Sequence, residues 1–150
     1  MKVKRKADLV RMQLADSESS LLSGLIEDFT AMLAENQASD PAVQRLYPDG
    51  YTDDDAASAE FRELVQADLQ HERTGRLDQC RSELPDGDGV IMLDDEALDR
   101  WLRVLNDLRL TLGIRLGVTE DTELDSLDPV ANIYHWLSAV QDLLVSEVLA

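Results

Sequence analysis

The stretch DDEALDRWLRVLNDLRLTLGIRLG, residues 94–117, is one long amphipathic segment, and the fold is organised around it. Its apolar residues recur at the three- and four-residue spacing of a helix face, which predicts a helix across the whole stretch. Asp94 is placed to cap the first turn, and Gly117 suits the position after the last turn. The residues on the main face are Leu98, Trp101, Leu105, Leu108, Leu112 and Leu116.

The same helix is also apolar on a second side, nearly opposite the main face. Leu110 and Ile114 lie there, and a helix that is apolar on two sides is usually buried on two sides. Either the helix lies at the centre of the domain, which the spacing favours, or its second side meets another chain. Leu110, Ile114 and Arg103 are therefore the residues predicted to bind a protein partner or a second copy in a homodimer.

Length and composition indicate one folded domain over residues 1–150. The chain is 44% hydrophobic and 30% charged, as in ordinary globular proteins. No apolar run approaches the roughly 18 residues of a membrane span, and no apolar signal-peptide segment follows the basic N-terminus. A single cysteine excludes a disulfide within the chain. These features predict a cytoplasmic protein.

The charge distribution is strongly acidic, with a formal net charge of −17. Four of the cations, Lys2, Lys4, Arg5 and Lys6, lie in the first six residues, which leaves the rest of the chain at −21. Because affinity for nucleic acid rests on neutralising phosphates, this balance argues against a DNA-binding body. The basic N-terminal arm is either a contact for phosphates or lipid headgroups, or, more commonly, a solvated end or the start of an edge strand.

Three further helices are predicted, over about residues 17–36, 52–84 and 129–149. The second either continues through Gly75 or kinks there. The third starts at Pro129, a residue favoured at the first helical position. Its predicted inward face comprises Val130, Ile133, Leu137, Val140, Leu144 and Val148.

Two short segments have the character of strands. Apolar residues alternate in residues 9–14, and residues 90–93 are short and apolar. Each is the natural partner of the other, and such a pair is stable only when it packs against helices. The predicted fold class is therefore mainly α, with four main helices forming a bundle-like single domain and a minor two-stranded β-ribbon.

Four sequence strings resemble a family of small actinobacterial proteins. They are RLYPDGY at residues 45–51, AEFRELV at 59–65, WLRVLNDLRLTLGIRLGV at 101–118 and YHWLSAVQDLL at 134–144. The family is chiefly catalogued as a domain of unknown function, and members have been described as oxidative-stress-responsive transcription regulators. The resemblance implies a regulatory role, with sigma-factor or polymerase contacts as the expected route. The switching between cysteines described for the family needs more thiols than this chain has.

Cys80 is the one candidate redox thiol. Arg76 lies one helical turn before it, where its charge would favour a thiolate. Free cysteines are often buried, however, and the commoner interpretation is that Cys80 fills an apolar slot beside Leu77 and Leu84. A sensor at this position would have to pair with another molecule.

The arginines Arg109 and Arg115 are the remaining polar candidates. They either anchor an anion or form ion pairs within the fold, with Glu60 and Glu63 as possible partners for Arg109. Acidic clusters at residues 53–55 and 94–96 lie at predicted helix N-termini, where the helix dipole accommodates them. The alternating acids at residues 121–125 lack the Gly and Glu that a calcium loop requires. The sequence predicts no metal site, no cofactor and no catalytic residue.

The function predicted from the sequence is therefore a regulatory protein–protein interaction domain and not an enzyme, and the resemblance implies a link to the transcription machinery. The acidic body fits a basic partner, whose encounter it would accelerate. One alternative is a regulator that binds DNA directly through its basic N-terminal arm, although nucleic acid is the less favoured partner. Another is an enzyme with a site built from Arg109 and nearby carboxylates.

Overall fold

The computed structural model describes the backbone of residues 1–34, 55–116 and 129–149, with side chains except those of residues 55–67, 114–116 and 149. Four helices and a small antiparallel sheet make up these residues, which confirms the mainly α fold class. The elements in chain order are β1 Lys2–Lys6, β2 Leu9–Leu14, α1 Asp16–Ala34, α2 Asp55–Glu83, β3 Gly89–Leu93, α3 Asp95–Leu116 and α4 Pro129–Leu149.

The sheet has three strands in the order β1-β2-β3, one more than the predicted ribbon. The predicted pairing of residues 9–14 with 90–93 is confirmed, since Met12 lies opposite Ile91. The prediction of two strands was wrong because β1 has a single apolar residue, Val3, and so lacks a hydrophobic alternation. The hairpin between β1 and β2 could not be predicted from its turn residues either. Ala7 adopts a φ of 54°, a conformation in which glycine or asparagine is usual.

Helix α3 is central among the described elements, since it contacts α1, α2, α4 and β3. Its start is as predicted, because the amide of Ala97 donates to Asp94 Oδ1 at 2.8 Å. The described residues of its main face are buried or partly buried, and Trp101 and Leu105 are fully inaccessible. Gly117 and the side chain of Leu116 lie outside the described residues.

Helix α1 is capped from two directions. Glu18 accepts from the amide of Ala15 at 2.9 Å, and Asp88, in the loop before β3, accepts from the amide of Asp16 at 2.6 Å. The carboxylates thus satisfy amides at the positive end of the helix. Gly89, the first residue of β3, packs tightly against the same loop, because a Cβ there would lie 2.5 Å from the ring of Pro85.

Helices α2 and α4 test two further predictions, the path of the chain at Gly75 and the inward face of the last helix. Helix α2 continues through Gly75 without a break. In α4 the residues Leu137, Val140 and Leu144 are buried. Val130 and Val148 were predicted to face inward, which is wrong: they are 38% and 51% exposed, and they lie in the first and last turns of the helix. None of the helices that the structure describes has the length and apolar character to span a bilayer.

Candidate functional site

Glu83, in the last turn of α2, joins that helix to α3. One carboxylate oxygen accepts from the guanidinium of Arg100, and the other accepts from Trp101 Nε1 at 2.8 Å. Both charged side chains are only 19% exposed. Because the indole of Trp101 is buried, its N–H needs this acceptor. The arrangement is a polar clamp between two helices.

Cys80 lies beside this clamp, one turn earlier on α2, and its side chain is fully inaccessible. Burial, with a further contribution from the negative charge of Glu83, raises the pKa of Cys80 to about 12. Arg100 and Arg76 act in the opposite direction, and their effect is outweighed. The thiol is therefore protonated and shielded in this state, which is the environment of a structural cysteine.

Arg73 and Asp107 form a second link between α2 and α3. Arg73 Nε donates to Asp107 Oδ2 at 3.1 Å, and Asp107 is only 6% exposed. Burial raises the pKa of Asp107, whereas the charge of Arg73 lowers it, and burial is the larger effect. The pair lies between the two helices and is largely shielded from solvent.

The predicted arginine site lies only partly within the described residues. Arg109 is partly buried, and its Nη2 lies 3.4 Å from Oδ1 of Asn106 on the same helix. Within the described side chains Arg109 forms no ion pair. The side chains of Arg115, Glu60 and Glu63 lie outside the described residues, so the predicted pairing with the acidic helix stays a prediction.

The predicted partner surface on α3 is only partly described. Leu110 is half-buried, Arg103 is exposed and donates to Asp99 Oδ2 at 2.9 Å, and the side chain of Ile114 is outside the described residues. Other apolar residues are more exposed. They are Leu9, Val90 and Met92 on the sheet, and Val130, Leu143, Val145 and Val148 on α4.

Sequence reasoning missed the outer face of the sheet. Its side chains form three rows across the strands, given by the register of the ladders. One row is Lys2, Gln13 and Val90, the next is Lys4, Arg11 and Met92, and the third is Lys6 and Leu9. The sequence feature that could have revealed this face is the period-two repeat of Lys2, Lys4 and Lys6, which places the three lysines on one side of a strand.

Cavities among the described residues lie beside α3 and beside β3. An apolar groove of about 480 Å³ lies between α1 and α3, with Leu25, Phe29 and Leu112 in its lining and Asp28 and Thr111 as its polar members. A more polar depression of about 620 Å³ runs along β3. No group of three or more potential metal ligands occurs in the part of the chain that the structure describes. The acidic residues at 121–125 lie outside it.

The comparisons with known proteins agree on one family. A family model described as "Domain of unknown function (DUF2017)" matches residues 1–148. The putative oxidative stress regulator AosR of Mycobacterium leprae is 28% identical over 91% of this chain and 72% of its own length. The oxidative stress regulator AosR of Mycobacterium tuberculosis is 29% identical over 88% of this chain and 70% of its own length. No solved structure matches the chain.

Proposed function

Because the chain belongs to the DUF2017 family of domains of unknown function, we propose that it is a regulator in the response to oxidative stress that acts by binding another protein. The observation that carries the proposal is the similarity, over about nine-tenths of the chain, to proteins named oxidative stress regulators. A cytoplasmic location is part of the proposal.

The environment of the polar groups supports binding over catalysis. Glu83 accepts from Arg100 and Trp101, and Asp107 is engaged by Arg73. A catalytic group must reach a substrate atom, whereas Glu83 and Arg100, which border the depression along β3, are already engaged with each other. The proposed regulator therefore works through its surface and not through a reaction at these residues.

We propose that Cys80 does not act as a redox switch in the folded protein. A redox-sensing cysteine needs a thiolate and access to the oxidant, and burial of Cys80 opposes both. The stress signal therefore reaches this protein by another route, such as a partner that itself responds to oxidant.

The partner that we propose is a basic protein, bound through the second side of α3. A chain with a net charge of −17 attracts basic proteins over a range of about 8 Å at physiological salt and speeds their encounter. Leu110, Ile114 and Arg103 supply the contact, which a second copy of the chain is also able to occupy.

The experiment that tests the regulatory role is deletion of the gene from its native bacterium. We expect the deletion strain to survive hydrogen peroxide less well and to lose part of its transcriptional response, and we expect the wild-type gene to restore both. Unchanged survival and an unchanged transcript profile in the deletion strain would show that the proposed role is wrong.

The contact surface is tested in the same strain with variants. We expect Leu110→Glu plus Ile114→Glu to fail to restore the response, because buried carboxylates exclude a close apolar contact. Val145→Glu, which changes an exposed apolar residue on α4, is the matched control and restores it. Arg103→Glu tests the same surface if the double variant does not fold. Full restoration by both α3 variants, with folding confirmed by circular dichroism, excludes this surface.

A further inference from the structure

The outer face of the sheet has a charge opposite to that of the whole protein. Lys2, Lys4, Lys6 and Arg11 are its charged members, and no acidic residue occupies any of its positions. The chain has 31 acidic residues and 14 lysines and arginines, so a patch with four cations and no anion departs strongly from the average surface. The separation of charge is therefore a property of this face and not of the composition.

The cations of this face have no counter-charge in the described structure. None of the four forms an ion pair, and Arg11 has only a long contact of 3.4 Å from Nη1 to Oε1 of Gln13. Lys4 lies directly opposite Arg11 in the β1–β2 ladder. Like charges at directly opposite positions destabilise a sheet, so the fold itself gains nothing from this arrangement.

Protection of the sheet edge does not account for the face. Lysines on an edge strand prevent pairing with other strands, which is a sufficient reason for those on β1. Arg11, however, lies on β2, the central strand, where no edge needs protection. By contrast, Arg5 on the same strand as the lysines points inward, and its guanidinium donates to the main-chain carbonyl of Glu147 at 3.1 and 2.9 Å.

Exposed apolar side chains lie beside the cations. Val90 is 40% exposed and Met92 is 46% exposed, and both are on β3, while the lysines are on β1. A face that served only solubility would not keep two large apolar residues in water. Across the three strands the face therefore changes from positive at β1 to apolar at β3.

The size and pattern of the face fit a single helix. Strands of five and six residues extend about 17–20 Å, and three strands are about 10 Å across, which matches three to four turns of one α-helix. An amphipathic helix carries carboxylates on one side of its apolar row at a spacing of about 5–6 Å. Lys2, Lys4 and Lys6 recur at about 7 Å along β1.

Nucleic acid and membranes fit the same face less well. Single-stranded nucleic acid is bound on sheets through aromatic side chains that stack on bases, and this face has none. Duplex DNA and anionic bilayers extend well beyond the face, so they also meet the acidic remainder of the protein, whose net charge is −17. A short acidic segment covers little beyond the face itself. Glu18 and Asp88 lie near Lys2, and Glu83, Asp94 and Glu96 line the depression beside Val90 and Met92, so the segment meets the fewest acids over Lys4 and Arg11.

We propose that the outer face of the sheet is a docking site for an acidic amphipathic helix of a partner protein. Its carboxylates pair with the β1 lysines and Arg11, and its apolar row packs on Val90 and Met92. This site goes beyond the proposed function, because it uses different residues from the α3 surface and selects a partner of opposite charge. The protein would then join an acidic and a basic partner.

The test uses a fluorescent acidic peptide of about five helical turns, with a glutamate row beside a leucine row, and a scrambled peptide of the same composition. Binding to the full chain is measured by anisotropy and mapped by amide chemical shifts. We expect the amphipathic peptide to bind more tightly than the scrambled one, to shift the amides of Lys4, Arg11 and Met92, and to weaken as salt is added.

Charge reversal supplies the decisive variants. We expect Arg11→Glu to weaken peptide binding about tenfold, because an attraction becomes a repulsion of similar size. Arg81→Glu, which makes the same charge change at an exposed position on α2, is the matched control and leaves the affinity within about twofold. Equal weakening by both variants, or no preference over the scrambled peptide, overturns the proposal.

Two further probes separate this proposal from its competitors. A DNA duplex and vesicles of phosphatidylglycerol are titrated against the same chain, and we expect neither to shift the sheet amides at physiological salt. Binding of either probe that Arg11→Glu abolishes would assign the face to nucleic acid or lipid instead. These measurements need no stress phenotype, so the docking site and the regulatory role stand or fall separately.

Discussion

The α2–α3 contact and the outer face of the sheet treat positive charge in opposite ways. Between the helices, Arg73 and Arg100 each meet a carboxylate, from Asp107 and Glu83. On the sheet, Lys4 and Arg11 face each other, and neither pairs with a carboxylate of the described residues. The chain carries 31 acidic residues, so the difference does not reflect a shortage of anions.

The difference follows from what solvent does to a charge. A charge removed from water is costly unless a partner and hydrogen bonds replace its hydration, which accounts for the pairing of Arg73 and Arg100. A charge on an open sheet keeps its water and needs no partner within the chain. Paired charges therefore act on the stability of the fold, and free charges remain available for binding. Substitutions in the two regions should have separate effects.

The largest expected effect comes from Glu83→Ala. It leaves the guanidinium of Arg100 and the buried indole N–H of Trp101 without their acceptor. We expect the free energy of unfolding to fall by about 3 kcal/mol, as for other partly buried ion pairs that lose one member. Urea unfolding followed by circular dichroism measures the change.

Glu27→Ala is the control for that experiment. Glu27 pairs with Arg81, but these side chains are 51% and 47% exposed, and we expect a loss below about 1 kcal/mol. Peptide binding at the sheet should be the same in both variants. A loss at Glu83 no larger than at Glu27 would show that the clamp does not set the stability of the α2–α3 contact.

The next effect is the pH dependence contributed by Cys80. Its pKa is raised from 9.0 to about 12 in the folded protein, so the folded state keeps the thiol proton at a pH where the unfolded chain loses it. The contribution to stability is complete below pH 9 and is lost as the pH rises towards 12. By pH 10 the loss amounts to about 1 kcal/mol.

The measurement is the free energy of unfolding at pH 8 and at pH 10 in the wild type and in Cys80→Ala. Titration of the other groups is common to both proteins, and we expect the wild type to lose more stability over this interval. Labelling of the thiol by iodoacetamide should be slow in the native protein and fast in urea. Identical pH slopes together with rapid native labelling would mean that Cys80 is accessible after all.

The elements whose apolar residues recur at a regular spacing could be predicted from the sequence. The spacing of Trp101, Leu105 and Leu108 fixed one face of α3, and Asp94 marked its start, because burial of a helix requires that pattern. Strand β1 could not be recognised in the same way. A strand with one solvated face and a cation turned inward, Arg5, shows no apolar alternation, and its ladder exists only when β2 lies beside it.

The candidate surfaces depended on contacts that sequence spacing does not reveal. Arg76 was correctly placed one turn before Cys80, but burial, which depends on the packing of α3 over α2, decides the state of that thiol. Glu83 was not singled out, because its partners are 17 and 18 residues away on another helix. Lys4 and Arg11 were never compared, since only the hairpin register makes them neighbours.

The smallest expected effect concerns the stability of the sheet and gives the sharpest separation of the two regions. Arg11→Glu places opposite charges at the directly opposed positions 4 and 11, as does Lys4→Glu. We expect each single variant to raise the free energy of unfolding by about 0.5 kcal/mol, and the double variant, which again opposes like charges, to return close to the wild type. Urea unfolding of the four proteins completes this cycle.

All three variants should bind the acidic peptide more weakly. Arg11→Glu should therefore gain stability while losing affinity, a combination that no structural role for Arg11 explains. A loss of stability in both single variants would mean instead that the cations support the sheet.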